Sequence, residues 1–132
     1  MSNFNNTPSE DYWKEKLSEE EFYVLRQKGT ERPHSGIYNI HSEKGSYTCK
    51  GCDTALFDSS QKFDAHCGWP SFDKALEGRI KYIEDKSHGM IRTEIVCANC
   101  NSHLGHVFDD GPADTGIRYC VNSISLNFNE SN

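Results

Sequence analysis

Six cysteines and six histidines are the groups in this chain of 132 residues best able to do chemistry. The cysteines stand at Cys49, Cys52, Cys67, Cys97, Cys100 and Cys120, as two C-x-x-C pairs and two singletons. A C-x-x-C turn directs two sulfurs into one small volume, and two such turns together supply the four soft ligands that tetrahedral zinc prefers. Cys49-Lys50-Gly51-Cys52 and Cys97-Ala98-Asn99-Cys100, with 44 residues between them, therefore read as a structural zinc site, one ion per chain. Gly51 and Asn99 precede the second cysteine of each pair, where a tight knuckle favours residues that tolerate positive φ. An all-sulfur shell does not by itself exclude iron. A thioredoxin-like redox pair would need a strand-to-helix setting that neither motif has. A closed four-sulfur shell has no open position, so its ion would hold the fold rather than react.

Cys120 lies in Arg118-Tyr119-Cys120-Val121-Asn122. Alternation along one strand puts Arg118, Cys120, Asn122, Ile124, Leu126 and Phe128 on a single face. Three polar or reactive groups followed by three apolar ones describe a face that runs from an opening into a core. The Arg118 charge is expected to favour the Cys120 thiolate, the form that reacts. Cys67 opens the breaker-rich loop Cys67-Gly68-Trp69-Pro70-Ser71-Phe72, whose Trp69 and Phe72 are either core anchors or, with Cys67, parts of a reaction site. His103 and His106 follow the second knuckle. With four sulfurs already filling a zinc shell, they suit proton transfer near neutral pH better than metal binding. These groups point to thiol redox chemistry on a small substrate. The rival is a non-catalytic zinc-ribbon domain that binds a protein partner through the Trp69 loop. A protease-like Cys120–His106 pair would leave Cys67 unexplained. The H-x-E and P-C-x-x-C deaminase signature, the Walker loop and G-x-G-x-x-G are all absent from the sequence.

These groups need elements to position them. The length allows one modest core, and a single domain over 1–132 is expected: 1–7 disordered, 8–28 helical, and a β-rich catalytic core over 36–128. Pro8 and Ser9 open a short helix through about Lys16. Ser18 and Glu21 have capping-box spacing, with Leu17 and Phe22 at the hydrophobic-staple positions. Gly29 follows Lys28 as a C-cap would, and Phe22, Leu25 and Tyr23 are expected against a sheet. After Gly36 the apolar period becomes two. Strands are expected over 37–40, 46–49, 55–57, 80–82, 91–95 and 119–128, with a turn over 85–89 and a short helix within 71–77. Short strands separated by turns favour an antiparallel β domain over βαβ units.

Fourteen Lys and Arg against twenty Asp and Glu give a net charge of −6. That balance, with no basic run, argues against nucleic-acid binding. No apolar stretch is long enough to span a membrane, and MSNFNNTPSEDYW lacks the regions of a signal peptide. A cytoplasmic protein is expected, in a compartment that disfavours three permanent disulfides.

Several segments then carry a resemblance in a fixed order: GTERPHSGIY at 29–38, the first knuckle, CGWPSF at 67–72, SHGMIRTEIVCANC at 87–100, HLGHVFDDGP at 103–112 and RYCVNSISLNF at 118–128. Over most of 20–128 the chain resembles the B-type methionine-R-sulfoxide reductases in their zinc-containing form. The resemblance implies a mainly β, tent-like domain of two antiparallel sheets with short N-terminal helices outside. It implies reduction of methionine-R-sulfoxide, in proteins, to methionine. By the same resemblance Cys120 is the nucleophile and Cys67 the resolving cysteine. A Cys120 sulfenic acid passes to a Cys67–Cys120 disulfide, which thioredoxin or another dithiol reductant reopens. His103 and His106 are the active-site histidines, with His103 expected as the principal proton donor. Trp69 walls the substrate methyl group, and Asp110, Arg118 and Asn122 line and organise the pocket. Cys49, Cys52, Cys97 and Cys100 match the zinc ligands. No organic cofactor is implied and a monomer is expected. Asp109 departs from the family, which more usually has proline there.

Overall fold

The computed structural model describes residues 10–32, 35–39, 41, 43–64, 67–86, 89–111 and 116–130. The expected loose segment 1–7, the helix opening at Pro8 and Ser9, Ile40, and Ser87 and His88 of the 85–89 turn lie outside the described residues. Two helices come first, α1 (Glu10–Lys16) and α2 (Glu19–Gln27). α2 starts where the capping signal places it. The Glu21 amide donates to Ser18 Oγ at 3.1 Å and the Ser18 amide donates to Glu21 Oε1 at 2.9 Å, so two otherwise unpaired amides are satisfied reciprocally. Its far end differs from expectation: the left-handed residue is Lys28, at φ 59°, and not Gly29. Gly29 is needed for another reason, since a side chain there would run into the Tyr23 ring. The buried side of α2 is Phe22, Val24 and Leu25, while Tyr23 is 52% exposed. Val24 thus takes the place expected for Tyr23.

Among the described residues, nine strands form two antiparallel sheets. β1 (Gly45–Cys49), β2 (Ala55–Asp58) and β9 (Leu126–Glu130) form one, in the order β2-β1-β9. β3 (Lys62–Phe63), β4 (Ser71–Phe72), β5 (Ile80–Asp85), β6 (Arg92–Cys97), β7 (His103–Phe108) and β8 (Arg118–Val121) form the other, in the order β3-β4-β8-β7-β6-β5. The expectation of two antiparallel sheets with short helices is met. Three local expectations are not. Residues 36–39 form a turn instead of a strand. The helix expected within 71–77 is replaced by β4, because Ser71 and Phe72 are pulled into the sheet between Lys62–Phe63 and Tyr119–Cys120. The run 119–128 is two strands in different sheets, broken at a 3-10 turn over Ser123–Ser125. Hydrogen bonds from the Asn122 amide to Leu104 O and from Ser125 Oγ to His103 O fasten that turn to β7. The face shared by Arg118 and Cys120 therefore ends at Asn122, and Leu126 belongs to the other sheet.

Register divides the six-stranded sheet by chemistry. Phe72 pairs with Tyr119, Tyr119 with Val107 and Val107 with Thr93, so these side chains share one face. That face packs on the smaller sheet: Phe57 stacks on Phe72 at 4.1 Å, and Tyr47 meets Phe72 edge-on at 5.1 Å. The opposite face carries Ser71, Cys120, His106 and Glu94 in one row. Among the described residues no helix is long and apolar enough to cross a membrane.

Candidate active site

Two knuckles bring four sulfurs together. Cys49 ends β1 and Cys97 ends β6, and Cys52 and Cys100 lie in the turns that follow. The Sγ atoms of Cys49 and Cys100 are 3.6 Å apart, as are those of Cys52 and Cys97, and all four lie within 4.8 Å of one another. A tetrahedron with metal–sulfur bonds of about 2.3 Å has edges of about 3.8 Å, so the four cysteines are close enough to bind a metal ion. Each knuckle closes with an amide-to-carbonyl bond, Asp53 to Cys49 and Asn101 to Cys97. The residues at positive φ are Asp53 (66°) and Asn101 (63°), just after the second cysteine, and not Gly51 and Asn99. Gly51 serves close packing: a side chain there would meet Ser102 Oγ at 2.8 Å and Cys100 Sγ at 3.3 Å. Arg26, stacked over Trp13, donates to Cys100 O at 3.0 Å and brings a positive charge beside the sulfurs.

The two remaining thiols also meet. β8 sets Cys120 between Ser71 of β4 and His106 of β7. Cys67 Sγ lies 3.8 Å from Cys120 Sγ and 3.4 Å from Ser71 Oγ. Gly68, at φ 92°, turns the loop between Cys67 and Trp69 in a conformation that glycine adopts without strain. Burial, then the charge of Cys67 and a hydrogen bond with it, push the Cys120 thiol up to about 12 against a smaller opposing pull from Arg118. Arg118 thus favours the Cys120 thiolate as expected, but burial and Cys67 outweigh it. Burial also opposes ionisation of Cys67, but hydrogen bonds with Ser71, the Trp69 backbone and Cys120 outweigh it and lower that thiol. Two sulfurs this close do not both ionise, and of the pair Cys67 is the one more readily ionised.

His103 and His106 are three residues apart, a spacing that places side chains on opposite faces of a regular strand. In β7 they share a face. Ile95 pairs with Gly105 and Val96 with His103, so Leu104 is an extra residue that resets the alternation. Such bulges re-aim side chains, and here the rings come to 5.8 Å. His103 Nδ1 is 2.7 Å from Glu94 Oε2, and Glu94 Oε1 pairs with Lys28 at 3.1 Å. Burial lowers the pKa of His103 against the pull of Glu94, favouring the neutral imidazole. His106 Nε2 is 2.8 Å from Asp85 Oδ2, which also pairs with Arg92.

A cavity of about 120 Å³ opens on this face, lined by Thr30, Trp69, Arg92, Gly105, His106, Phe108, Cys120, Val121 and Asn122. His106 is on its wall; His103 stands behind, outside that lining. Trp69 Nε1 donates to Glu31 O at 3.0 Å, and the Glu31 amide donates to Asn122 Oδ1 at 2.9 Å. Asn122 Nδ2 in turn donates to Leu104 O at 3.1 Å, so one chain of bonds fixes the indole, the 30–31 loop and β7. Asp110 is exposed and does not line the cavity as expected. It holds Arg118 through two bonds, at 2.9 and 3.2 Å, with the guanidinium 4.5 Å from the Phe108 ring centroid. Sequence reasoning missed Thr30, Glu31, Asp85, Arg92, Glu94 and Phe108. All but Asp85 lie in the segments that carry the resemblance, but nothing in their type or spacing separates them from ordinary surface residues.

Known proteins resemble this chain over most of its length. The SelR domain matches residues 17–130. A peptide methionine sulfoxide reductase MsrB of Alteromonas mediterranea is 58% identical over 121 residues, covering 91% of this chain and 85% of that protein. One from Teredinibacter turnerae is 56% identical over 127 residues, covering 96% and 94%. The crystal structure of the Mis18 'Yippee-like' domain superposes with a TM-score of 0.53 at 19% identity, over 68% of this chain and 99% of that one, a likeness of fold alone. By the extent and closeness of these matches the chain belongs to the SelR-domain family of peptide methionine sulfoxide reductases, the MsrB enzymes.

Proposed function

We propose that this methionine sulfoxide reductase acts on the R epimer of methionine sulfoxide in proteins, with Cys120 as nucleophile and Cys67 as resolving thiol. The substrate side chain enters the cavity with its methyl group against Trp69 and its oxygen toward His106. Cys120 sulfur attacks the sulfoxide sulfur. The thiol proton it gives up passes by way of His106 to the sulfoxide oxygen as the S–O bond weakens. His103, behind His106 and held by Glu94, is a positioning residue for this step, which shifts the principal donor role from His103 to His106. Methionine leaves reduced by two electrons, and the oxygen remains on Cys120 as a sulfenic acid. Cys67 attacks that sulfur, its thiol proton leaves with the departing hydroxyl as water, and the resulting disulfide is reopened by exchange with a dithiol reductant, thioredoxin.

The four-cysteine cluster suits structural zinc, which would tie the sheets together and take no part in these steps. A monomer in the reducing cytoplasm fits a cycle that starts from two free thiols. The observation that carries this reading is the 3.8 Å approach of Cys67 and Cys120 beside a cavity lined by Trp69 and His106. The family assignment leaves nothing to favour the non-catalytic zinc-ribbon alternative. Incubation with separate R and S epimers of N-acetylmethionine sulfoxide and dithiothreitol tests the chemistry. Methionine should form from the R epimer alone, and peptide mapping after a single turnover without reductant should find a Cys67–Cys120 bond. Turnover of the S epimer, or a disulfide between knuckle cysteines, would overturn the assignment.

A further inference from the structure

The Cys120 cavity holds about 120 Å³, less than an engineered cavity of about 150 Å³ that takes one benzene. It has room for a single side chain, so the polypeptide on either side of an oxidised methionine must lie on the surface around it. One part of that surface is shaped and apolar. A groove of about 880 Å³ runs along the ends of β6, β7 and β8, walled by Met90, Ile91, Val107, Phe108, Ile117 and Tyr119. Val107 and Tyr119 set it on the opposite face of the sheet from Cys120, and it shares Arg92 and Phe108 with the cavity, so the two adjoin where the strands end. Ile91 is 75% exposed and Met90 49%, an arrangement that burial against a ligand would relieve.

We propose that this groove is a peptide subsite that receives an apolar side chain neighbouring the oxidised methionine, making the enzyme selective for sulfoxides in apolar sequence. The proposal rests on the placement of the sulfoxide beside Cys120. Position favours the substrate chain over the reductant as occupant. Cys67 and Ser71 flank Cys120 on the β4 side, whereas the groove is built from β5 to β8 and includes no residue of the 67–72 loop. A peptide lying there leaves the Cys67 side open for resolution and exchange. The charged side chains of the groove are Arg92, already paired with Asp85, and Asp109 at its rim, so contact with the neighbouring residue is mainly apolar.

Three substrates separate the possibilities: a blocked single-residue amide of methionine-R-sulfoxide, a peptide with leucine on both sides of the sulfoxide, and the same peptide with serine there. For the unaltered enzyme kcat/KM should be about tenfold higher for the leucine than for the serine peptide, equivalent to about 1.4 kcal/mol, through KM. Met90→Ser combined with Ile91→Ser, both at exposed positions, should reduce that ratio to less than twofold and leave the amide unchanged. A ratio that persists in the double variant, or an equal loss on all three substrates, would overturn the subsite. Loss of turnover by thioredoxin alone would assign the groove to the reductant. Concentration-dependent dimerisation abolished by the double variant, with the peptide ratio intact, would assign it to a second copy. Both results would also overturn the proposal. Failure of the unaltered enzyme to reduce even the amide would instead reject the placement of the sulfoxide.

Discussion

The raised Cys120 and the lowered Cys67 are two halves of one arrangement. In the proposed cycle, a nucleophile kept as a thiol is protected from stray oxidants, since reactivity follows the thiolate, while its neighbour is the more readily ionised of the two. The cost is that Cys120 must lose its proton as it attacks, and the sulfoxide oxygen needs one. Part of the upward push on Cys120 comes from Cys67 itself, so Cys67→Ser should move the Cys120 titration downward. Each unit of that shift gives about tenfold more thiolate in the range below the midpoint. At pH 8 to 9, alkylation of Cys120 by iodoacetamide, followed by mass spectrometry, should be several-fold faster in the variant. An unchanged rate would mean that burial alone sets the acidity of Cys120. Reading the sequence found both cysteines but not the balance of forces on Cys120. The Arg118–Cys120 spacing was visible, whereas the burial that outweighs Arg118 arises only when β4 and β7 close over β8.

At the scale of elements, the site depends on one irregularity in β7. The sequence H-L-G-H shows two imidazoles without showing that they share a face, because a bulge is a property of pairing between strands. The helix start at Ser18 was legible, since a capping box is completed within four residues. The split of 119–128 and the brief strand at 71–72 were not, because each is decided by a partner far along the chain. Gly105 sits at this bulge, opposite Val121, where any side chain would strike the Cys120 carbonyl. Gly105→Ala should force β7 away from β8 and so part His106 from Cys120. Overpacking of this kind costs about 1 to 3 kcal/mol of stability, and a displacement of about 1 Å at reacting groups can cost about a hundredfold in rate. The expected variant is folded, keeps its metal, melts several degrees lower and loses most of its kcat/KM. Full activity with normal stability would show that β7 and β8 can separate without disturbing the site.

For the whole molecule the question is what keeps a thin chain of short strands in one arrangement. The aromatic contacts around Phe57 and Phe72 join the two sheets on one side. The four-cysteine cluster joins them at another, since Cys49 belongs to the three-stranded sheet and Cys97 to the six-stranded one. An ion held there is a bond between sheets, and it lies away from the catalytic face because β6 leads from Glu94 on that face to Cys97 at its end. Metal binding of this type is worth about 10 kcal/mol or more in small zinc domains, comparable with the whole stability of a typical domain, about 5 to 15 kcal/mol. Loss of the ion is therefore expected to unfold the protein and to remove activity only as a consequence. Elemental analysis should find about one zinc per chain and no iron. Cys97→Ser should lower metal content and the melting temperature together, by more than about 10 °C at about 4 °C per kcal/mol, whereas Cys120→Ser should keep both and lose turnover. A metal-free Cys97→Ser protein that melts normally would show that four buried thiols hold the sheets together by packing alone.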